Sequence, residues 1–180
     1  GGDVINAMVY NTDADAAVVV KVGRFRLLNS LVAYHALEGE AYTATVGYDD
    51  PTESGQTEII NTILYQNTGP MWVSSARDLD MRNSIIFNSP FAAFAWGEDL
   101  YVSDDGDTFA DLEAAGGGSD NLGIVDPRLV DPQEGDFRLA ADSPGLDAGT
   151  SDVEEFVSFD LQGNSRVEGA AVDLGPIESQ

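Results

Sequence analysis

The stretch Asn83-Ser84-Ile85-Ile86-Phe87 is the most informative part of the sequence, because close copies of it recur along the first half of the chain. In each copy an asparagine and a small residue precede two aliphatic residues, and an aromatic residue usually follows closely. The other copies are Asn6-Ala7-Met8-Val9-Tyr10, Asn29-Ser30-Leu31-Val32-Ala33-Tyr34 and Asn61-Thr62-Ile63-Leu64-Tyr65. Successive asparagines are 23, 32 and 22 residues apart. A repeat of about 20–25 residues with a short strand in each copy is typical of a solenoid, in which stacked repeats share one core.

The spacing leaves room for further strands and for one insertion. Runs of β-branched and aromatic residues surround Val18 and Trp72, each 11 residues before an asparagine, so we expect at least two strands in each repeat. The 32-residue interval contains a normal repeat and a loop insertion near residues 48–57, where aspartates, a proline and a glycine have the chemistry of turns. A short helix is predicted near residues 109–115, since Thr108 can cap its start and Gly116 to Gly118 can end it.

The recurring asparagines predict a structural ladder. If the repeats stack in register, the side-chain amides of Asn6, Asn29, Asn61 and Asn83 can hydrogen-bond from one repeat to the next. Four equivalent asparagines are a poor basis for catalysis, and the sequence predicts no catalytic residue.

Composition and charge exclude several classes of function. The chain has 8 lysines and arginines against 32 aspartates and glutamates, a net charge of −24. This charge argues against binding to nucleic acids, which need a basic surface, and against anionic membranes. The chain contains no cysteine and no apolar run long enough to span a membrane. Such charge repels itself unless cations screen it, as in high salt or in a calcium-rich extracellular space.

Calcium is the one cofactor that the sequence suggests. Asp104, Asp105 and Asp107 cluster around Gly106, and hard carboxylate oxygens suit this ion. The spacing does not match an EF-hand loop, so the favoured interpretation is a solvated acidic turn, and a calcium site is the alternative.

The last third of the chain lacks the asparagine repeat and contains several short motifs instead. They are Asp126-Pro127-Arg128-Leu129-Val130-Asp131-Pro132, Gly135-Asp136-Phe137-Arg138-Leu139, Ser143-Pro144-Gly145-Leu146-Asp147-Ala148-Gly149, Asp160-Leu161-Gln162-Gly163-Asn164-Ser165-Arg166 and Val172-Asp173-Leu174-Gly175-Pro176-Ile177-Glu178. Asp147, Asp160 and Asp173 are predicted to cap turns by accepting backbone N–H bonds. Arg138 and Arg166 are predicted to be their buried partners.

In this order, the five motifs resemble the ending of secreted bacterial and archaeal right-handed parallel β-helix proteins. That group includes the "choice-of-anchor" surface proteins. One departure is Pro176, which stands where the family has alanine. The resemblance implies an all-β, right-handed parallel β-helix over residues 1–118, a C-terminal cap over residues 119–180 that closes the open end, and export to the cell surface or the extracellular space.

The first repeat carries no polar cap, although solenoids need one. We therefore expect an upstream segment or a partner chain to cover its strand edges.

Three functions remain open. The leading hypothesis is a non-catalytic structural, adhesive or matrix module. The second is the C-terminal part of a polysaccharide lyase, hydrolase or polysaccharide-binding protein, for which Lys21, Arg24 and Arg26, or Arg77 and Arg82, are the basic candidates. Asn11-Thr12-Asp13 only begins a polygalacturonase-like motif, and His35 has no carboxylate partner in register. The third is a filament subunit that assembles through the first repeat.

Overall fold

A computed structural model describes residues 2–10, 19–20, 24–34, 44–46, 56–67, 71–73, 79–87, 93–96, 99–102, 110, 113–114, 117–153 and 158–179. Within these ranges the chain forms sixteen β-strands and a short 3₁₀ turn. The strands are β1 (Gly2–Ile5), β2 (Met8–Tyr10), β3 (Val19–Val20), β4 (Phe25–Leu28), β5 (Leu31–Ala33), β6 (Ala44–Val46), β7 (Thr57–Ile60), β8 (Ile63–Tyr65), β9 (Met71–Val73), β10 (Leu79–Arg82), β11 (Ile85–Phe87), β12 (Ala93–Trp96), β13 (Asp99–Val102), β14 (Gly118–Ser119), β15 (Leu129–Asp131) and β16 (Asp136–Leu139). The described chain is therefore all-β.

From β1 to β12, every third strand enters the same parallel sheet. Sheet 1 has the order β1-β4-β7-β10-β14, sheet 2 the order β2-β5-β8-β11, and sheet 3 the order β3-β6-β9-β12, with β13 added antiparallel to β12. We call each set of three consecutive strands, from β1–β3 to β10–β12, a repeat. Three strands of one repeat thus enter three different sheets, and the next repeat returns beside the first strand. This order is consistent with a parallel β-helix.

The pairing keeps equivalent residues side by side. Ile5 pairs with Leu28, Leu28 with Ile60, and Ile60 with Arg82. Side chains alternate between the two faces of a strand, and the row of Leu27, Ile59 and Met81 on sheet 1 is at most 1 % exposed. A strand also lies directly before each asparagine. These strands are β1, β4, β7 and β10, and the sequence pattern did not predict them.

In β5, β8 and β11 both faces of sheet 2 are largely buried, because the described part of residues 126–179 covers the outer face. We call residues 126–179 the C-terminal section. On that outer face the residues Leu31, Ile63 and Ile85 share one apolar cluster with the C-terminal section. The members that the C-terminal section contributes are Phe137, Leu139 and Leu174. The alternate residues of sheet 2, Val32, Leu64 and Ile86, lie on the opposite face and are also buried.

The aromatic residues that follow the repeat pattern belong to this covered face. Phe137 of the hairpin β15–β16 lies 4.9 Å, centroid to centroid, from the ring of Tyr10 and 6.3 Å from that of Tyr34. Tyr65 meets Tyr34 edge-on at 5.5 Å and stacks on Phe87 at 5.7 Å. One aromatic row therefore runs from the first repeat to the fourth beneath the C-terminal section.

A second apolar contact fastens the C-terminal section to the outer face of sheet 1. Val153, in the 3₁₀ turn Ser151–Val153, packs on Leu28 and Ile60, with Ile5 at the margin. Arg82 takes the next position of this row and pairs with Asp152 at 3.2 Å.

The C-terminal section therefore differs in position from the predicted cap. Its contacts run along the side of the repeats, from Tyr10 in the first to Arg82 in the fourth. The physical reason is that the outer face of sheet 2 is apolar and must be covered along its whole length. Towards the far end, β14 adds a fifth strand to sheet 1, and Gly123 forms a parallel bridge with Ile85.

Two further predictions fall largely outside the described residues. Of the loop insertion near residues 48–57, only Gln56 and Thr57 are described, and Thr57 already begins β7. Of the helix near residues 109–115, Ala110, Glu113 and Ala114 are described and have helical backbone. In the described part of the chain, no helix has the length and apolarity required to cross a membrane.

Candidate functional site

The four asparagines occupy equivalent corners between sheet 1 and sheet 2. Each has a left-handed backbone, with φ of 48° at Asn6, 46° at Asn29, 54° at Asn61 and 47° at Asn83. Asparagine tolerates this conformation better than most residues, because its short polar side chain can hydrogen-bond locally. Their backbone N–H groups all donate to the next strand of sheet 1, at 2.9–3.4 Å. Asp120, at φ 56°, takes the equivalent position after β14.

The side-chain amides divide between the ladder and the C-terminal section. Asn61 Nδ2 donates to Asn29 Oδ1 at 2.8 Å, which is one rung of the predicted ladder. Between the first and second repeats this rung is not formed in the described structure. The two atoms that would form it, Asn6 Oδ1 and Asn29 Nδ2, are buried and have no partner there.

Three of the asparagines bind the backbone of the C-terminal section. Asn61 exchanges two hydrogen bonds with Thr150, donating to its carbonyl at 2.9 Å and accepting from its N–H at 2.8 Å. Asn83 donates to the carbonyl of Ala148 at 3.1 Å, and Asn6 donates to that of Phe159. The asparagine row is thus the polar part of the interface with the C-terminal section.

Gly149 makes this approach possible. A Cβ added at Gly149 would lie 2.7 Å from the carbonyl oxygen of Val172 and 3.0 Å from the side chain of Asn61. Only glycine can therefore lie between the asparagine row and the chain segment behind it.

A second polar row lies directly after the asparagines, and sequence reasoning missed it. Ser30 Oγ accepts from the N–H of Ala7, and Ser84 Oγ from that of Thr62, both at 3.1 Å. Asn121 Oδ1 continues the row by accepting from the N–H of Ser84 at 3.2 Å. The hydroxyls also donate to the carbonyl two residues earlier, as Ser84 does to Arg82 at 2.8 Å. The signal was present, since a hydroxyl residue follows three of the four asparagines.

A buried charged cluster organises the end of the C-terminal section. It consists of Asp160, Arg166, Asp173 and Glu178, all at most 5 % exposed. Arg166 Nη2 donates to the carbonyls of Asp173 at 2.8 Å and Gly175 at 2.6 Å. Its Nη1 lies 3.7 Å from Glu178 Oε2. Burial lowers the pKa of Arg166, although the three carboxylates oppose this effect.

The carboxylates of the cluster serve mainly as backbone acceptors. Asp160 accepts from the N–H groups of Gln162 and Asn164 at 2.8 Å and of Glu178 at 3.0 Å. Burial alone would raise the pKa of Asp160, but these bonds hold it below its usual value. Burial raises the pKa of Glu178 to about 7, although a backbone bond from Asp173 and the charge of Arg166 act against it.

The predictions for the aspartates in this section are confirmed. Asp173 accepts from the N–H of Asp147 at 2.7 Å and of Ser179 at 2.8 Å, and Asp147 accepts from Ala170 at 2.6 Å. Arg166 is buried as predicted, but its ion pair is with Glu178, and of the three aspartates it binds Asp173 through the backbone carbonyl and not through a carboxylate. The prediction of a buried Arg138 is wrong. Arg138 is exposed and binds Asp136, two residues away on β16, at 2.8 and 2.5 Å.

A cleft of about 300 Å³ opens beside the cluster. It is lined by Val130, Arg138, Leu139, Gln162, Ile177, Glu178 and Ser179. The Glu178 carboxylate faces the N–H of Asp173 at 3.2 and 3.3 Å. Among the described lining residues there is no second carboxylate to complete the acid–base pair of a glycoside hydrolase.

The arginines that sequence reasoning considered for lyase chemistry are paired with acids. Arg26 binds Asp3 at 2.6 and 2.8 Å, and Arg24 binds Glu58. Arg82 lies 3.1 Å from Asp80 and 3.2 Å from Asp152. Lys21, Arg77, His35 and the Asn11-Thr12-Asp13 motif lie outside the described residues.

The predicted calcium ligands Asp104, Asp105 and Asp107 also lie outside the described residues. Within the ranges that the structure describes, no group of three acidic or histidine side chains could hold a metal ion.

In comparisons with known proteins, no family model, no curated protein and no solved structure matches this chain.

Proposed function

We propose that this chain is a right-handed parallel β-helix and serves as a rigid, non-catalytic structural module at the cell surface or in the extracellular matrix. The observation that carries the proposal is the use of the buried polar groups. Each residue of the asparagine row, the hydroxyl row and the buried charged cluster binds neighbouring backbone or another member, although Asn6 Oδ1, Asn29 Nδ2 and two nitrogens of Arg166 have no hydrogen-bond partner in the described structure. Such groups hold repeats and loops together, and among the described ones only Glu178 borders the cleft of about 300 Å³, where no second carboxylate accompanies it.

The strand order supports the β-helix. Every third strand returns to the same sheet, and each return is a crossover between parallel strands. Crossovers of this kind are right-handed in about 98 % of cases. Because each repeat pairs with its neighbours through three sheets at once, bending the stack would break hydrogen bonds on several sides, and stiffness follows from this arrangement.

The charge and the resemblance support a place outside the cell. A chain with a net charge of −24 gains stability from screening cations, and the motifs of residues 119–180 resemble the endings of exported β-helix proteins. An adhesive or matrix role requires only a stiff, soluble surface of this kind.

The rival function is a part of a polysaccharide-degrading or polysaccharide-binding protein. A lyase needs a basic residue that is free to abstract a proton beside a uronate carboxylate. The described candidates Arg24, Arg26 and Arg82 are instead paired with Glu58, Asp3 and the pair Asp80 and Asp152. This pairing favours the structural function.

Incubation with alginate, pectin and chondroitin, in the presence of calcium, tests the proposal. We expect neither the absorbance of unsaturated products nor new reducing ends above the level of a heat-unfolded sample. Turnover that Lys21→Ala or Arg24→Ala abolishes, while Arg138→Ala preserves it, would contradict the structural function and support the lyase.

A further inference from the structure

The cleft beside the buried charged cluster has an aliphatic wall. Its volume of about 300 Å³ lies at the lower end of the range in which proteins bind small molecules. The wall consists of Val130 on β15, Leu139 on β16 and Ile177. None of the described residues that line the cleft is aromatic, so the cleft lacks a flat surface on which a planar ring would stack. This wall therefore suits a short hydrocarbon chain.

Arg138 brings to the cleft a cationic donor that the protein uses on one side only. Its Nε and Nη2 donate to the two carboxylate oxygens of Asp136 at 2.8 and 2.5 Å. A paired contact of this kind fixes the orientation of a guanidinium group. The third nitrogen of Arg138, Nη1, makes no hydrogen bond in the described structure. Since a guanidinium has five N–H donors, one edge of Arg138 remains available to an oxyanion.

Glu178 brings a carboxyl group to the same cleft from its buried side. This residue is 3 % exposed, and its two oxygens accept from the N–H of Asp173 at 3.3 and 3.2 Å. Because burial raises the pKa of Glu178 to about 7, below this pH the carboxyl group carries a proton and can itself donate. The other members of the cluster, Asp160, Arg166 and Asp173, pack around Glu178 and do not line the cleft.

We propose that this cleft binds a small aliphatic carboxylate, whose oxygens accept from the Nη1 edge of Arg138 and from Glu178. The hydrocarbon part of the ligand lies against the aliphatic wall. Gln162 also lines the cleft, and its side-chain amide makes no hydrogen bond in the described structure, so it is available as a further donor. This inference goes beyond the proposed structural function and does not depend on it. A single carboxyl group can hold such a ligand without turning it over.

The ligand must bind in spite of the charge of the whole chain. A net charge of −24 repels anions at long range, but 0.1 M salt screens this repulsion beyond about 10 Å. Within the cleft, the charges of Arg138 and Asp136 offset each other and a protonated Glu178 adds none. Local donors therefore hold the ligand, and we expect weak binding, with a dissociation constant on the order of 1 mM.

Isovalerate and its neutral isostere isovaleramide test the proposal. Each compound is titrated into the full, isotope-labelled chain at about pH 6, and the backbone amide signals are followed by NMR. Isovalerate should give saturable shifts at Arg138, Gln162 and Ser179, and isovaleramide should bind at least tenfold more weakly. Equal affinities of the two compounds, or the absence of saturable shifts at these residues, would overturn the proposal.

Two arginines provide matched variants. The side chains of Arg138 and Arg128 are 55 % and 54 % exposed, and each pairs with an aspartate, Asp136 and Asp142 respectively. Only Arg138 lines the cleft. Arg138→Met should therefore weaken the binding of isovalerate at least tenfold, whereas Arg128→Met should leave it unchanged. Equal affinities of the two variants would contradict binding in this cleft.

The pH dependence of binding tests the contact with Glu178. Between about pH 6 and about pH 8 isovalerate stays ionised while Glu178 loses its proton, so the affinity of the parent chain should fall several-fold. Glu178→Gln keeps a donor at every pH, and its affinity should stay constant over this range. A parent profile as flat as that of the variant would overturn the contact. None of these measurements involves polysaccharide turnover, so the proposed function and this inference can fail independently.

Discussion

The repeats and the C-terminal section bury polar groups in opposite ways. In the repeats one solution recurs, with an asparagine at positive φ and a hydroxyl residue after it, joining each copy to the next. The C-terminal section has a network that occurs once, in which Arg166 and three carboxylates hold loops together. Pairing that recurs between repeats therefore supplies the scaffold, whereas contacts that occur once hold together the section that covers its outer face. The predictions below test this division.

Deletion of residues 126–180 should have the largest effect. It uncovers the row of Leu31, Ile63 and Ile85, and each such side chain contributes about 1.5–3 kcal/mol when buried. We expect loss of cooperative unfolding in calorimetry and strong binding of an apolar dye.

Two full-length variants control for the deletion. Leu174 is 1 % exposed and packs on sheet 2, whereas Leu161 in the same section is 48 % exposed. Leu174→Asp should reproduce most of the loss of stability, and Leu161→Asp should not. If the two variants melted alike, the C-terminal section would not be the cover described above.

Arg166 and Arg138 form a matched pair for the charged cluster. Arg166→Met leaves two carbonyls and the Glu178 carboxylate buried without their cation, which should lower the free energy of unfolding by about 3–5 kcal/mol. Arg138→Met removes an exposed ion pair, so its unfolding curve in urea should overlay that of the parent chain. An equal loss in both variants would refute the structural role of the cluster.

Substitution of Asn61 tests the arrangement that recurs in the repeats, an asparagine with positive φ whose side chain is hydrogen-bonded. Asn61→Ala removes three hydrogen bonds, worth about 1 kcal/mol each, and places alanine at φ 54°, which costs about 1 kcal/mol more. Asn61→Gly loses the same bonds without the backbone strain. Chemical denaturation should therefore rank the parent chain above Asn61→Gly and Asn61→Ala lowest. The reverse order of the two variants would show that the left-handed backbone is not what selects asparagine.

Because of Glu178, the free energy of unfolding should fall as the pH rises. The pKa of Glu178 is about 7 in the folded chain, above the usual value of 4.5 for a glutamate, so between these values the folded state holds a proton that the unfolded state releases. Stability from this group is therefore lost as pH rises from about 4.5 to 7, by at most about 3 kcal/mol. Glu178→Gln should flatten this part of the stability curve relative to the parent chain, and parallel curves would contradict a raised pKa.

The same division explains what the sequence could predict. Asn6, Asn29, Asn61 and Asn83 were recognisable because each repeat needs the same residue at the same backbone angle. The strands directly before them escaped notice, since runs such as Leu79–Arg82 have only four residues and mix charged with apolar side chains. In the sequence, the hydroxyl residues after the asparagines are recognisable only as small residues. In the structure their oxygens accept hydrogen bonds from backbone N–H groups of the neighbouring repeat.

Prediction was weaker for the C-terminal section. Its turn-capping aspartates follow local rules, so Asp147, Asp160 and Asp173 could be anticipated from their turns. Its position along sheet 2 depends on contacts such as that of Leu174 with the cluster around Ile63, which are distant in sequence and occur once. No periodic signal encodes contacts of this kind.

The smallest expected effect concerns the surface charge that both regions share. Added sodium chloride should raise the melting temperature by roughly a few degrees, because it screens repulsion among the excess of acids.

Calcium and magnesium chlorides at equal ionic strength then distinguish general screening from binding at a specific site. Screening alone predicts equal shifts, whereas an additional shift with calcium that Asp105→Asn removes would establish the site predicted at Asp104, Asp105 and Asp107. Glu134→Gln, at an exposed position between β15 and β16, serves as the control that removes one charge elsewhere in the sequence. If calcium acted equally on all three proteins, the cations would stabilise the chain only through its general charge.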